Sequence, residues 1–491
     1  MPNPTTEKLE QFYATGSTTT ATSGKLKSTI SSSCGWTSTC RISIAELRHW
    51  SDQIHLFLRE TTAEWGVTNI SAIIILPRNQ YIPSYRLGSL GFLGGKALKN
   101  EDSTNMGLHD QRLALHWVQE NIEKFGGDPT KVTIHGQRCE ESLSDKIPIK
   151  PPDYSLRLHS AGANSIHAHI IAYGGQDDNL FHQAIPESGT GGTYDLTISE
   201  VFQATYDALL INTCSSTVKS LEAAQLSCLR SLPISVFHQN SVGLTGISRD
   251  GDIIDTTSSF ELYRTDKWVK VAFLTGSNTD EGQTFVVLGA NTTVEAKSTL
   301  EPLIPADSLD DLLALYLDVP SLGCPYDTES LRLLDHRINE FLRLLETSAR
   351  SRMLSPISAN DLIQQLSRFN HKPYTITFGV EDFIGHFAEV AYVFNLQTND
   401  TDFWATNHHM ATPLCPGAPI EDRFLRVYML RSWASFIATG DPNNANVPTK
   451  IHWPKYSDGQ ENLVWLTQGF TTETDNFREE GIQFIFDHIF F

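Results

Sequence analysis

A chain of 491 residues is long enough to bury a large core, and the lack of an internal repeat or long linker favours one large domain over several small ones. Its 57 acidic and 37 basic residues give a formal net charge of −20, which argues against nucleic-acid or anionic-membrane partners and suits a soluble acidic protein. No run of about 18 apolar residues occurs, so no integral membrane segment is expected.

In chain order, residues 1–45 are rich in Ser and Thr with little periodicity. They are expected to be a poorly ordered N-terminal segment ahead of one domain over 46–491. The first residues hold neither a basic n-region nor an apolar h-region, so no secretion signal is read in them. Apolar spacing over 45–66 is compatible with a helix, and Ile73-Ile74-Ile75-Leu76 before Pro77 reads as a short buried strand. From Asn105 to Phe125 a roughly helical spacing of Leu108, Leu113, Leu115, Trp117, Val118 and Ile122 runs into the stop Gly126-Gly127-Asp128-Pro129. A strand follows at Val132 to His135, then a helix from Ser160 to Tyr173 closed by Gly174-Gly175. Farther on, Val269 to Leu274 and Tyr374 to Phe378 read as strands. Residues 300–350 read as helical, and Phe424 to Ile437 as an amphipathic helix before Gly440-Asp441-Pro442. The alternation predicts the α/β class, with a mostly parallel central sheet flanked by helices.

One stretch carries chemistry. Val132-Thr133-Ile134-His135-Gly136-Gln137, joined directly to Ser160-Ala161-Gly162, is an apolar strand, Gly-Gln-Ser-Ala-Gly and a helix: the nucleophile elbow, which exposes a serine hydroxyl on a strained turn. Standing alone, a Ser at the head of a helix is more often an N-cap. Here residues 138–159 interrupt the motif. This inserted run contains Cys139, Glu140, Glu141, Asp153, Pro148, Pro151 and Pro152, and reads as a solvated loop. In the interrupted form Leu158 stands two places before Ser160, where the elbow wants glycine, and is expected to clash or pull the turn open.

Codon choices give the run an origin. If Arg138-Cys139-Glu140 is encoded AGG-TGC-GAG it supplies a splice donor, and if His159-Ser160 is encoded CAC-AGC, an acceptor. Excision between them would remove 22 codons in frame and regenerate the serine. A retained intron is the expectation, and a genuine regulatory loop the competing reading.

Six motifs in order carry a resemblance: Tyr85-Arg86-Leu87-Gly88, Asn105-Met106-Gly107-Leu108-His109-Asp110-Gln111-Arg112, Phe125-Gly126-Gly127-Asp128-Pro129, Asp280-Glu281-Gly282, Gly385-His386-Phe387-Ala388-Glu389 and Thr439-Gly440-Asp441-Pro442-Asn443. Together they resemble the type-B carboxylesterases, the esterase, lipase and cholinesterase group of the α/β-hydrolases, and with Trp453-Pro454-Lys455-Tyr456 its fungal members most. The resemblance implies a Ser-Glu-His triad of Ser160, Glu281 and His386, an oxyanion-hole amide on Ala161, and a small-molecule or lipid carboxylic ester as substrate, with no metal or cofactor. Such a triad needs these types: imidazole takes the Ser proton, and the acid fixes its tautomer and stabilises its charged form. Without the resemblance, Glu281 reads as a loop acid at a helix start and His386 as a surface or capping histidine.

The chain departs from the family upstream. The Gly-Gly-rich segment that contributes further oxyanion amides, and an acidic Cys motif, have no match between Met1 and Tyr85, and the nearby Gly94-Gly95 reads as packing. The chain is therefore expected to be impaired, inactive both as written and with only 138–159 removed. A catalytically inactive homologue serving as a binding or adhesion module is the alternative. Family resemblance points to an extracellular protein. The sequons at Asn69, Asn291 and Asn399 fit that reading, and among seven cysteines Cys214 and Cys228, flanking a short helical segment, form the candidate disulfide.

Overall fold

Short runs rich in Val, Ile and aromatic residues, cut by glycine and polar turns, supply the strands of a central sheet. The computed structural model describes residues 54–58, 73–75, 80–81, 85–136, 161–188, 197–241, 245–278, 293–301, 306–315, 363–370, 389–393, 420–444, 452–456, 461–466, 469–474 and 479–488, all within one compact unit, Ile42–Phe491. Among these residues the sheet has nine strands: β1 (Ile54–Leu58), β2 (Ile73–Ile75), β3 (Gln80–Tyr81), β4 (Val132–Gly136), β5 (Gln183–Pro186), β6 (Ala272–Asn278), β7 (Ile363–Asn370), β8 (Glu461–Leu466) and β9 (Gly469–Thr474). Their order is β9-β8-β7-β6-β5-β4-β1-β2-β3. The run from β8 to β1 is parallel, and antiparallel partners close each side, β9 on β8 and the β1-β2-β3 meander.

Side chains alternate across a strand, so neighbouring residues feed opposite faces. On one face, Val132 and Ile134 of β4, Ala184 of β5 and Phe273 of β6 join a core with Leu115 and Val118 of α1 (Met106–Asn121), Ile166 and Ile170 of α2 (Ala161–Gly175) and Leu262 of α5 (Ser259–Arg264). On the other, Ile185 of β5, Leu274 of β6 and Trp465 of β8 pack with Tyr392 of α6 (Val390–Val393) and with Met429, Trp433 and Phe436 of α7 (Ile420–Thr439). A third cluster joins Leu209 of α3 (Gln203–Thr213) to Leu226 and Leu229 of α4 (Glu222–Ser231), with Leu93 and Ala97.

Cys214, just after α3, is disulfide-bonded to Cys228 in α4, with Cα atoms 6.1 Å apart. Closing a loop of this length restricts the unfolded chain, so Cys214→Ser with Cys228→Ser is expected to lower stability by about 2–3 kcal/mol, read as a lower urea midpoint. An unchanged midpoint would contradict it.

Two histidines on α2 are fully enclosed. His167 Nδ1 meets Tyr263 Oη at 2.8 Å and His169 Nε2 meets Gln111 Oε1 at 2.9 Å, and burial pulls each imidazole down to about 3. The folded protein keeps both neutral while the unfolded chain protonates them below about 6.5, so stability falls as pH drops from there toward 3. Unfolding at pH 4.5 should take up about two more protons than at pH 8 from this pair, measurable from the pH slope of the unfolding free energy. A flat slope would refute it.

At 54–58 the strand β1 corrects the helical reading of 45–66, whose other residues lie outside the described ones. It pairs with β4 along its length and with β2 at Leu56 and Phe57, and tertiary pairing of this kind outweighs a weak local periodicity. The helix after Ser160 also ends sooner than expected: Ala172, Tyr173 and Gly174 leave helical geometry. The readings for 1–45, Tyr374 to Phe378 and most of 300–350, like the three sequons, fall outside the described residues; Ala306–Leu315 is helical as read.

Candidate active site

β4 ends at Gly136 and α2 begins at Ala161, and their backbones meet. A Cβ built on Gly136 would lie 2.5 Å from the carbonyl carbon of Gly162, overlapping its oxygen, and 2.7 Å from Ile166 Cγ1. Only glycine permits so close an approach. Gly136 fills a crowded place opposite Gly162, while Leu158 lies outside the described residues. The two ends of the interrupted motif thus stand together, as the uninterrupted motif requires.

The carboxyl ends of β4, β5 and β6 are tied laterally. Register sets Leu58 of β1 beside Gly136, and Gly136 beside Pro186 of β5. The Glu187 N–H donates to the Gly136 carbonyl at 2.9 Å and the Ser188 N–H to that of Gly276 at 3.0 Å. Thr275 Oγ1 donates to the Pro186 carbonyl at 2.9 Å. Strand ends of a parallel sheet are where open α/β folds build their sites.

A buried polar cluster occupies these ends on the α7 side. His135 Nε2 lies 2.9 Å from Glu187 Oε2, and Trp433 Nε1 donates to Glu187 Oε1 at 2.6 Å. Next to it, Asn278 Nδ2 donates to Glu389 Oε2 at 2.5 Å, and Ser188 Oγ stands 3.5 Å from Glu389 Oε1. All six side chains belong to buried residues. Burial pushes the Glu187 carboxyl up to about 8 against the opposing pull of the Trp433 donor, and holds the His135 imidazole well below its ordinary range. At neutral pH both groups are neutral.

The sequence motifs acquire structural roles. The Arg86 guanidinium holds the Asp110 carboxylate through both oxygens at 2.7 Å. Gln111 reaches Ser165 Oγ at 3.2 Å as well as His169, fastening α1 to α2. Asn105, in left-handed conformation at φ 51°, is held by Asp250 and by the Ser248 backbone. Asn443 and the backbone of Trp453 exchange bonds of 2.7 and 2.9 Å, which joins the Asp-Pro-Asn and Trp-Pro-Lys-Tyr stretches. Gly94 packs under Phe202 and Ser199, and Gly95 donates its N–H to Ser199 Oγ at 3.0 Å.

Of the residues read as catalytic, Ser160, Glu281 and His386 lie outside the described residues. Ala161 opens α2, directly after Ser160. Asn278 stands three residues before Glu281 and Glu389 three after His386, so the hydrogen bond between them joins the two flanking segments. Sequence reasoning missed His135, Glu187 and Trp433. The available signal was an acid directly after a buried strand, in Ile185-Pro186-Glu187-Ser188. Among the described residues no cluster of His, Cys, Asp or Glu could hold a metal ion, and no helix is long and apolar enough to cross a membrane.

Comparison with known proteins matches the Carboxylesterase family over residues 82–139 and 155–485, leaving out 140–154 within the inserted run. The chain is 31% identical to Lipase 2 of Geotrichum candidum over 429 residues, covering 81% of this chain and 66% of that lipase. It is 32% identical to Lipase 1 of the same organism over 437 residues, with the same coverage of each. Secreted lipase 1 of Botryotinia fuckeliana is 28% identical over 434 residues, covering 82% of this chain and 66% of that protein. The chain thus spans about two thirds of the length of these relatives. The crystal structure of Aspergillus niger EstA superposes with a TM-score of 0.63 at 20% identity, covering 82% of this chain and 72% of that one.

Proposed function

The chain belongs to the carboxylesterase family, and from that premise we propose that it is a serine carboxylic ester hydrolase working through Ser160, Glu281 and His386, impaired in the interrupted form. Its fold is the α/β-hydrolase fold, a mostly parallel sheet with helices on both faces. The observation that carries the proposal is the contact of Gly136 with Gly162, the two glycines of the elbow, beside the Asn278–Glu389 hydrogen bond that joins the segments flanking Glu281 and His386.

In the proposed reaction His386 accepts the hydroxyl proton as Ser160 Oγ attacks the ester carbonyl. The tetrahedral intermediate collapses to an acyl-serine, and the alcohol leaves with the proton from imidazole. Water repeats the attack, with His386 again as base, and releases the carboxylic acid and free serine. The Ala161 N–H supplies one donor to the oxyanion. The substrate class is a small-molecule or lipid carboxylic ester, in keeping with relatives named as lipases. An extracellular site of action fits the relative named as a secreted lipase, and the Cys214–Cys228 bond suits an oxidising compartment.

The impairment follows from the insertion and from the missing Gly-Gly segment. The missing segment and the broken elbow also favour the second reading, an inactive homologue acting as a binding module. Two measurements separate the readings. Sequencing of the spliced messenger should find transcripts lacking codons 138–159; a population made only of the inserted form would sink the intron reading. A fluorophosphonate should label Ser160 in a chain lacking 138–159 and carrying a restored Gly-Gly segment. Absence of label on the Ser160 peptide would favour the inactive homologue.

A further inference from the structure

We propose that Gln111 is a positioning residue: by holding Ser165 and His169 with one amide it sets the first turns of α2, and with them the Ala161 N–H and the serine ahead of it. The proposal rests on the reading of Ser160 as nucleophile and Ala161 as oxyanion donor given above.

Ala161, Ser165 and His169 follow one another at intervals of four, so they stand on one side of α2, a turn apart. Gln111 meets that side from α1. Its Nε2 donates to Ser165 Oγ at 3.2 Å, and its Oε1 meets His169 Nε2 at 2.9 Å. An amide oxygen only accepts, so the imidazole proton of this bond sits on His169 Nε2. Gln111, Ser165 and His169 are 0%, 3% and 1% exposed, and bulk water does not compete for either bond.

α1 is itself fastened on both sides of Gln111. Asp110 is held by Arg86 through both carboxylate oxygens. Arg112 is bonded to Asp178, beyond the end of α2, and its guanidinium lies 5.0 Å from the centre of the Tyr173 ring. Three consecutive residues thus tie α1 to the segment before it, to the first turns of α2 and to the far end of α2.

The other constraint on this part of α2 is steric, the approach of Gly136 to Gly162 and Ile166. A steric contact limits how near the helix comes to β4. It does not stop α2 from turning about its axis or sliding along it, whereas two directed bonds a turn apart on one fixed amide do. That matters for the proposed chemistry, because an oxyanion donor works only at about 2.7–3.1 Å from the developing charge, and a shift of about 1 Å can cost about 100-fold.

The test sets Gln111→Met against Gln119→Met. Gln119 lies about two turns farther along α1 and donates to the Pro129 and Leu180 carbonyls at 2.9 and 3.0 Å. The same substitution there also removes two bonds, but neither goes to α2. In the full chain both variants should lower the urea midpoint. Amide exchange in peptides covering 161–170 should quicken about tenfold in Gln111→Met and stay at the parent rate in Gln119→Met. Equal exchange of that segment in the two variants overturns the hold on α2.

In the chain lacking 138–159 and carrying the Gly-Gly segment, kcat is counted per Ser160 labelled by the fluorophosphonate, so unfolded molecules drop out. Gln111→Met should lower it about 10- to 100-fold with KM within about twofold, and Gln119→Met should keep it within about twofold. His169→Leu should lose about tenfold, while His169→Gln, whose amide N–H stands in for the imidazole Nε2–H, should stay within about threefold of the parent. Equal losses in Gln111→Met and Gln119→Met, no loss in Gln111→Met, or equal losses in the two His169 variants overturn the positioning role. If Gln111→Met does not fold, Ser165→Ala takes its place in both measurements with an expected loss of about threefold in kcat, and no loss counts against the role. If the repaired chain shows no Ser160-dependent turnover at all, the reading of Ser160 fails instead, and the exchange comparison alone decides whether Gln111 sets α2.

Discussion

Ester hydrolysis is expected only when two repairs are made together: removal of residues 138–159 and insertion of a Gly-Gly segment after Leu58. Either change alone should leave a chromogenic short-chain ester near its background rate. The first repair joins Gly136-Gln137 directly to Ser160. The second follows from register: Leu58 lies beside Gly136, so the chain leaving β1 starts next to the elbow. In this fold the remaining oxyanion donors come from the loop after such a neighbouring strand. Each missing donor costs ~100- to 1,000-fold, and a displaced serine removes the nucleophile itself. In the doubly repaired chain Ser160→Ala should lower kcat by about 10,000-fold or more. Vigorous Ser160-dependent turnover by the unmodified chain would refute the impairment.

The second large effect is on stability. Gly136→Ala should cost about 3 kcal/mol or more, measured by urea denaturation, because its methyl group meets backbone that cannot move aside. Gly174→Ala serves as the control. Its φ is +67°, yet nothing lies within 4 Å of the added carbon, so only the left-handed backbone penalty of about 1 kcal/mol applies. Equal costs at the two sites would mean that the strand-to-helix contact is looser than the structure describes.

These residues show what the sequence could and could not disclose. β4 and α2 were legible because an apolar run, a glycine and a helical spacing each carry a local signal. The elbow glycines were legible as a pair only once the inserted run was set aside. β1 was not: Ile54-His55-Leu56-Phe57-Leu58 is defined by its partners on both sides, which local spacing does not encode. The buried Glu187 was hidden for a related reason. A glutamate after a strand reads as the start of a loop, and only burial against His135 and Trp433 turns it into a neutral buried acid.

The meeting of Gly136 with Gly162 also bears on what becomes of the interrupted protein in a cell. By the loop-closure relation, lengthening the connection between them from about 3 to about 25 residues adds an entropy cost of about 2 kcal/mol, because the cost grows only with the logarithm of length. A domain of this size can absorb that. The product of an unspliced message is therefore expected to fold and persist rather than be cleared as an unfolded chain. Splicing at this position would then change which form of the elbow the protein carries without changing the amount of protein.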